Sequence, residues 1–178
     1  MSTDELLEEQ FRAEHDAGLS PQRLYEHLIR EPIGKSAPRR AVAVNLHTSV
    51  ADAVALMKQQ RIGCVLVEAD RRLAGIFTER DVLTKVVGSG RDPQTTAVED
   101  VMTPDPECLT MSDEIAWVLN LMAVGGFRHV PIVDDTGRPV AVFSVKDIVE
   151  RLVELFPKDV LTLPLHPGKD IARTREGA

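Results

Sequence analysis

The sequence predicts an α/β (α+β) fold made of two tandem β-α-β-β-α units, with additional helices at the N-terminus. Two observations carry this prediction: an internal duplication over about residues 41–156, and apolar residues that switch between helical and strand spacing within each copy. A unit of roughly 60 residues buries little apolar surface by itself. The two units are therefore expected to pack sheet to sheet.

The duplication is an ungapped match between residues 64–83 and residues 130–149, at an offset of 66 residues (130 − 64). Upstream, residues 47–57 match residues 112–122 at an offset of 65 (112 − 47). The match preserves aromatic and polar positions, namely Phe77 with Phe143, Thr78 with Ser144, and Asp81 with Asp147.

Each copy has the same order of predicted elements. A short apolar run is followed by a helix, a β-branched strand, a polar turn, a second strand and a final helix. The final helices are predicted over residues 78–87 and 144–156. Residues 88–106, between the copies, are rich in Gly, Pro, Ser and Thr, which predicts a connecting loop.

This pattern divides the chain into four predicted segments. Residues 1–40 are predicted as an N-terminal helical extension, 41–98 as the first unit, 99–156 as the second, and 157–178 as an extended or disordered tail. The amphipathic helices of the extension are expected to pack on the duplicated core or, alternatively, to dock a partner.

Composition narrows the function classes. The chain is 43% hydrophobic and 28% charged, with a net charge of −7 and few aromatic residues, so a nucleic-acid partner is not expected. No apolar run approaches the roughly 18 residues of a membrane span, and the N-terminus is acidic, which predicts a cytoplasmic protein without membrane contact. Cys64 and Cys108 are predicted as packed thiols. The five histidines lack zinc-ligand spacing, so no metal is expected.

A hydroxyl and a carboxylate three residues apart recur where the second strand of each copy ends. Thr78 with Asp81, and Ser144 with Asp147, fit a capping box, in which the hydroxyl accepts from an early helical amide. The same position favours a bound anion, because free amides and the positive end of the helix meet there. The residues alone leave both interpretations open.

A ribose-phosphate explains more of this pattern than a bare anion does. A carboxylate repels a phosphate, but it can accept hydrogen bonds from the two hydroxyls of a ribose. Arg80 and Lys146 each precede the carboxylate by one residue and supply cations. Hydroxyl, cation and carboxylate together favour a ribose-phosphate in each copy.

The two copies resemble a tandem pair of cystathionine β-synthase (CBS) domains, also called a Bateman module. The signature of that family, Gly-hydrophobic-x-Thr/Ser-x-x-Asp, reads GIFTERD over residues 75–81 and AVFSVKD over residues 141–147, with Ala in place of Gly in the second copy. The resemblance implies a pseudo-twofold axis and two clefts that bind adenosyl ligands such as AMP, ADP, ATP or S-adenosylmethionine.

The resemblance also implies roles for individual residues. In each cleft the signature carboxylate would hold the ribose and the signature hydroxyl a phosphate. Thr78 and Asp81 would serve one cleft, and Ser144 and Asp147 the other. The resemblance further implies that Arg128 and His129 contact phosphate and that Pro131 contacts the base. Arg80 and Lys146, the cations named above, complete the set of predicted ligand contacts.

Two departures from the family pattern carry expectations of their own. The first copy has Ile62 and Gly63 where the second has Arg128 and His129, so the first cleft is expected to lack one pair of phosphate contacts. Ala141 adds a methyl group that is expected to crowd the second cleft.

The expected function is that of a stand-alone regulatory module and not of an enzyme. An adenosyl ligand between the units would stabilise one arrangement of a homodimer and so alter its contact with an unknown effector protein. No catalytic residue is expected. The nearest candidate set is Ser144, Asp147 and His129, but Ser144 and Asp147 are already used at a helix start. The alternative is a scaffold that has lost ligand binding and only dimerises.

Overall fold

The computed structural model describes residue 26 and residues 28–155, so the predicted helices before residue 26 and the predicted tail lie outside the described residues. Within this range the chain forms two four-stranded sheets with helices, which confirms the α+β class. Among the described residues, those up to Phe143 form one compact unit and those from Ser144 form another.

The elements follow the predicted order in both copies. Those of the first half are β1 (Arg39–Arg40), β2 (Ala43–Asn45), α1 (Val50–Gln60), β3 (Cys64–Ala69), β4 (Arg72–Thr78) and α2 (Glu79–Asp81). Those of the second half are β5 (Thr103–Pro104), β6 (Leu109–Thr110), α3 (Ile115–Gly125), β7 (His129–Val133), β8 (Pro139–Ser144) and α4 (Val145–Leu155).

The two sheets exchange one edge strand each. The first sheet has the order β2-β3-β4-β5 and the second has the order β1-β8-β7-β6. β5 lies at the start of the second copy but pairs antiparallel with β4 of the first, and β1 lies just before the first copy but pairs antiparallel with β8 of the second. The segment that leads into each copy therefore covers the sheet edge of the other copy, where unpaired amides would otherwise be left.

Alternate residues of β3 and β4 face two different apolar clusters. Val65, Val67 and Phe77 pack on one face, with residues of α1. Leu66 and Ile76 lie on the other face, where Val142 of β8 packs against them. Because successive side chains of a strand point to opposite faces, both faces of the sheet are buried. This arrangement confirms that the two sheets pack against each other.

The joint between the copies is more ordered than the predicted loop. It contains a 3₁₀ turn at Val98–Asp100 and then β5. Val98 and Val101 are buried and pack into the cluster around α1. Residues 90–97 form the predicted connection, but composition did not identify the 3₁₀ turn and β5 that follow, because two buried valines stand among Gly, Pro, Ser and Thr.

Residues 31–40 also depart from the predicted helical extension. Ile33 is fully buried, and its amide donates to the carbonyl of Asp113 at 2.8 Å. The carbonyl of Glu31 accepts from the amide of Ile115 at 3.0 Å, so this stretch packs on the second copy. β1 follows it. Two consecutive arginines show no alternation of apolar and polar residues, so the sequence gives no signal for this strand. The strand is defined by its backbone pairing with β8.

The helix after β4 changes type along its length. α2 has three residues and continues as a π-helical segment, Val82–Val86, and a 3₁₀ turn, Val87–Ser89. The predicted helix over residues 78–87 is therefore present but irregular. π-Helical segments recur at functional sites, so this irregularity directs attention to the β4–α2 corner.

A thiol predicted as packed, that of Cys108, and the single tryptophan lie at the surface. Trp117 on α3 is 58% exposed, and Cys108 is exposed, whereas Cys64 and Met57 are buried. α3 carries apolar residues on more of its circumference than the neighbouring strands cover. Sequence periodicity therefore does not identify its buried face.

Phe77→Ala is expected to lower the free energy of unfolding by about 3–5 kcal/mol, because the ring is fully buried in the cluster around α1. Urea denaturation measures the change. Val87→Ala is the matched control, since Val87 is 68% exposed, and its effect is expected to stay within about 0.5 kcal/mol. Equal effects of the two substitutions would contradict the described core.

The thiol of Cys64 is expected to be unreactive in the folded protein. Burial, and then the charge of Glu79, raise the pKa of Cys64 to about 12, so almost no thiolate forms at pH 8. Titration with a disulfide reagent at pH 8 should detect only Cys108, and slowly, because partial burial and the charges of Glu107 and Asp113 raise its pKa. Two thiols should react after denaturation. Rapid labelling of both in the native protein would place Cys64 at the surface.

Candidate functional site

Thr78 ends β4 and caps α2. The Thr78 amide donates to Asp81 Oδ2 at 2.9 Å, and the Thr78 hydroxyl donates to the same oxygen at 2.7 Å. The Asp81 amide reaches back to Thr78 Oγ1 at 3.4 Å. These reciprocal contacts form a capping box and confirm the capping interpretation of this pair.

The carboxylate of Asp81 is buried. Asp81 is 5% exposed, and no other charged residue in the described part of the chain is buried to this degree. A buried charge is stable only with partners. Asp81 Oδ1 has two of them, the ammonium of Lys85 at 2.7 Å and the hydroxyl of Thr103 at 3.4 Å.

Lys85 joins this carboxylate to β5. Its Nζ donates to the Met102 carbonyl at 3.0 Å and to Thr103 Oγ1 at 3.3 Å. The sequence interpretation missed both Lys85 and Thr103. The spacing of Asp81 and Lys85, four residues apart on a helix, is a signal that identifies the lysine. Thr103 gives no such signal, because it comes from a strand that the sequence placed in a loop.

Thr78 and Asp81 line a cleft with a volume of ≈ 280 Å³. This volume is close to the lower end of the range for small-molecule pockets, about 300–1,000 Å³. The lining comes from Gly63, from the β4–α2 corner, from β5 with the residues after it, and from the chain that enters β7. Both copies therefore contribute to one cleft.

The cleft collects six of the nine predicted ligand contacts. All six lie at the β4–α2 corner or in the first residues of β7 and just before it. They are Thr78, Arg80, Asp81, Arg128, His129 and Pro131. The expectation that the first cleft lacks Arg128 and His129 is wrong. Because the sheets pack face to face, the start of β7 in the second copy lies opposite the β4–α2 corner of the first.

The space beside Gly63 is occupied by the imidazole of His129. Gly63 occupies the position that corresponds to His129 in the duplication. A Cβ at Gly63 would lie 3.1 Å from His129 Nε2 and 3.5 Å from Glu79 Oε2. The imidazole of the second copy thus fills the space that a side chain from the first copy would need.

The charges that line the cleft are mixed. Four carboxylates belong to the lining, those of Glu79, Asp81, Asp105 and Glu107. Two guanidinium groups, those of Arg80 and Arg128, and the imidazole of His129 face them. Lys85 neutralises the charge of Asp81. The carboxylates that remain to balance the two guanidinium groups are those of Glu79, Asp105 and Glu107. The cleft can donate to a small anion and accept from hydroxyl groups.

Ser144 and Asp147 repeat the capping geometry at the start of α4. The amide and the hydroxyl of Ser144 both donate to Asp147 Oδ2 at 2.6 Å. Lys146 pairs with Glu150 at 3.4 Å, one turn along the same helix. The roles of Ser144, Lys146 and Asp147 as ligand contacts stay predictions.

Ala141 is 1% exposed, so its methyl group is enclosed by protein. The corresponding Gly75 shows what such a position faces, since a Cβ there would lie 2.3 Å from Met102 Sδ. The expectation that the Ala141 methyl group crowds the second cleft stays a prediction. The signature glycine of the first copy makes room for the segment before β5.

Two further Ser/Thr-x-x-Asp pairs cap turns of this chain. The Ser49 hydroxyl donates to Asp52 Oδ2 at 2.7 Å, and the Thr110 amide donates to Asp113 Oδ2 at 2.6 Å. The local pattern is therefore common in this chain. Burial, a lysine partner and a cleft distinguish Asp81 from Asp52 and Asp113.

The described part of the chain holds neither a metal site nor a membrane-spanning helix. No group of three or more His, Cys, Asp or Glu residues is placed to hold a metal ion there. None of the helices in that part is both long enough and apolar enough to span a bilayer.

A duplicated α+β unit, with a cleft to which both copies contribute, defines a tandem-domain module. The family described as CBS domain matches residues 35–88 and residues 98–154, which together exceed half of the chain. The chain belongs to the CBS domain family. The finer unit boundaries proposed above, 41–98 and 99–156, stay predictions.

Curated relatives differ in the share of their length that this chain covers. The chain is 34% identical over 125 residues to the mitochondrial CBS domain-containing protein CBSX3 of Arabidopsis thaliana, covering 67% of this chain and 60% of that one. It is 30% identical over 124 residues to an uncharacterized 17.7 kDa protein of Acidianus ambivalens, covering 69% and 74%. It spans only 18% of the length of CBSCBSPB3 of Arabidopsis thaliana, at 34% identity and 56% coverage of this chain.

Solved structures share the fold. A CBS-domain containing protein from Agrobacterium tumefaciens aligns with a TM-score of 0.62 at 28% identity, covering 68% of this chain and 99% of that one. A CBS domain protein from Pyrobaculum aerophilum, solved in complex with AMP, aligns with a TM-score of 0.63 at 20% identity, covering 71% and 99%.

Proposed function

We propose that this protein is a regulatory module that binds an adenosyl ligand in the cleft at Asp81. The observation that carries the proposal is a buried carboxylate, 5% exposed, at the wall of a cleft that also presents two guanidinium groups and an imidazole. A carboxylate accepts two hydrogen bonds from the cis-diol of a ribose, and guanidinium groups bind phosphate.

Each part of an adenosine phosphate has a chemical counterpart in the lining. Asp81 suits the ribose hydroxyls, whereas Arg80, Arg128 and His129 supply donors for a phosphate. Apolar surface for the base comes from three lining residues, Ile76, Phe127 and Pro131. The carboxylates Asp105 and Glu107 near the β5 segment favour one phosphate over three. AMP is therefore the first ligand to test, and the AMP complex of a structural neighbour supports this choice.

The proposed role is regulatory and not catalytic. The cleft hydroxyl of Thr78 already donates to Asp81, with which it caps α2. We propose that the module acts as a homodimer in the cytoplasm and signals to an effector protein. Ligand can do this only if it binds two arrangements of the dimer with different affinity.

Thermal unfolding with AMP, ADP, ATP, NADH and S-adenosylmethionine tests the proposal. AMP at about 100 times its Kd adds about 2.7 kcal/mol of stability, which is expected to raise Tm by about 5–10 °C. Asp81→Ala combined with Asp147→Ala is expected to abolish the shift, measured from the ligand-free Tm of each variant.

Asp113→Ala is the matched control for this experiment. It removes a carboxylate that also accepts from a threonine amide and hydroxyl, at 2.6 and 2.9 Å, but does not line the Asp81 cleft. Its ligand shift is expected to equal that of the unmodified protein. If no ligand shifts Tm at millimolar concentration, the adenosyl proposal fails and a dimerising scaffold becomes the better description.

A further inference from the structure

Every acceptor position of the Asp81 carboxylate is already used within the protein. A carboxylate offers about four lone-pair positions, two on each oxygen. Oδ2 accepts from the Thr78 amide and hydroxyl, and Oδ1 accepts from Lys85 Nζ at 2.7 Å and from Thr103 Oγ1 at 3.4 Å. A ribose can bind this carboxylate only after a present donor leaves.

The four donors differ in how easily they move. The two donors on Oδ2 belong to Thr78, whose amide is fixed by β4 and whose hydroxyl caps α2. The donors on Oδ1 are a lysine on a flexible four-carbon stem and a long contact to a hydroxyl that can rotate. The Lys85 side chain is 40% exposed, so its ammonium can reach water when it leaves Asp81.

We propose that Lys85 is a positioning residue that occupies the ribose-accepting oxygen of Asp81, so that a cis-diol ligand must displace this ammonium to bind. The proposal rests on the proposed binding of an adenosyl ligand at Asp81. It adds that the chain carries an internal competitor for that ligand. The same ammonium also donates to the Met102 carbonyl and to Thr103 Oγ1, so its displacement removes one link between the π-helical segment Val82–Val86 and the β5 segment.

A supporting role for Lys85 predicts the opposite effect on affinity. If Lys85 only kept Asp81 in place, its removal would weaken ligand binding. If Lys85 competes with the ligand, its removal leaves a buried carboxylate that gains more from the two ribose hydroxyls. The sign of the affinity change therefore separates the two roles.

Calorimetric titration of AMP into the unmodified protein and into Lys85→Met tests the proposal. Loss of the competing ion pair is expected to lower the Kd for AMP about fivefold, the size set by a half-exposed ion pair. The Kd values of the two proteins for 2′,3′-dideoxyadenosine monophosphate, which lacks the diol, are expected to agree within about twofold. A general change in folding or charge would shift both ligands alike.

Two further variants serve as controls. Lys85→Arg keeps a cation at this position and is expected to restore the affinity of the unmodified protein. Lys58→Met removes the same charge from the exposed side of α1 and is expected to change neither Kd. If circular dichroism shows that Lys85→Met does not fold, Lys85→Gln replaces it, because glutamine keeps a polar stem without the charge.

The outcomes separate this proposal from the proposed function. If the unmodified protein binds AMP through Asp81 and Lys85→Met binds it equally or more weakly, the competitor role is wrong and the adenosyl site stands. If neither protein binds any adenosyl ligand, both proposals fail. Tight binding by Lys85→Met alone supports the competitor, since the ammonium then explains the weak binding of the unmodified chain.

Discussion

A buried carboxylate with all its acceptor positions filled is the constraint on which the cleft depends. Asp81 fixes the start of α2 through Thr78, and it holds Lys85 and Thr103 through its second oxygen. One side chain thus joins the end of β4, the helix after it and the exchanged strand β5. Removing the charge from water is offset only by these partners, so any ligand that uses Asp81 must replace some of them.

The exchange of edge strands explains why one cleft draws on both copies. β5 leads into the second copy but completes the sheet of the first, and β1 does the reverse. Packing of Leu66 and Ile76 against Val142 then brings the start of β7 opposite the β4–α2 corner. The fold consequently places Arg128 and His129 in the same cleft as Asp81, although Arg128 lies 47 residues (128 − 81) after Asp81 along the chain.

The repeated order of elements, the burial of both faces of β3 and the capping box at Thr78 all follow from local sequence patterns. The assignment of His129 to a particular cleft does not, because it depends on how two sheets pack. Ser49, Thr78 and Thr110 make similar contacts to an aspartate, yet only Asp81 is buried beside a lysine. Strands of two residues, such as β1, carry no periodicity, so backbone pairing alone defines them.

We propose that the cleft at Asp81 binds the ribose of an adenosine phosphate, and a crystal structure of the full chain with AMP is the decisive test. We expect AMP in the cleft, both ribose hydroxyls within hydrogen-bond distance of Asp81, and Lys85 Nζ withdrawn from the 2.7 Å contact with Oδ1. AMP bound elsewhere, or bound in the cleft with the Asp81–Lys85 contact unchanged and the ribose remote from Asp81, would contradict it.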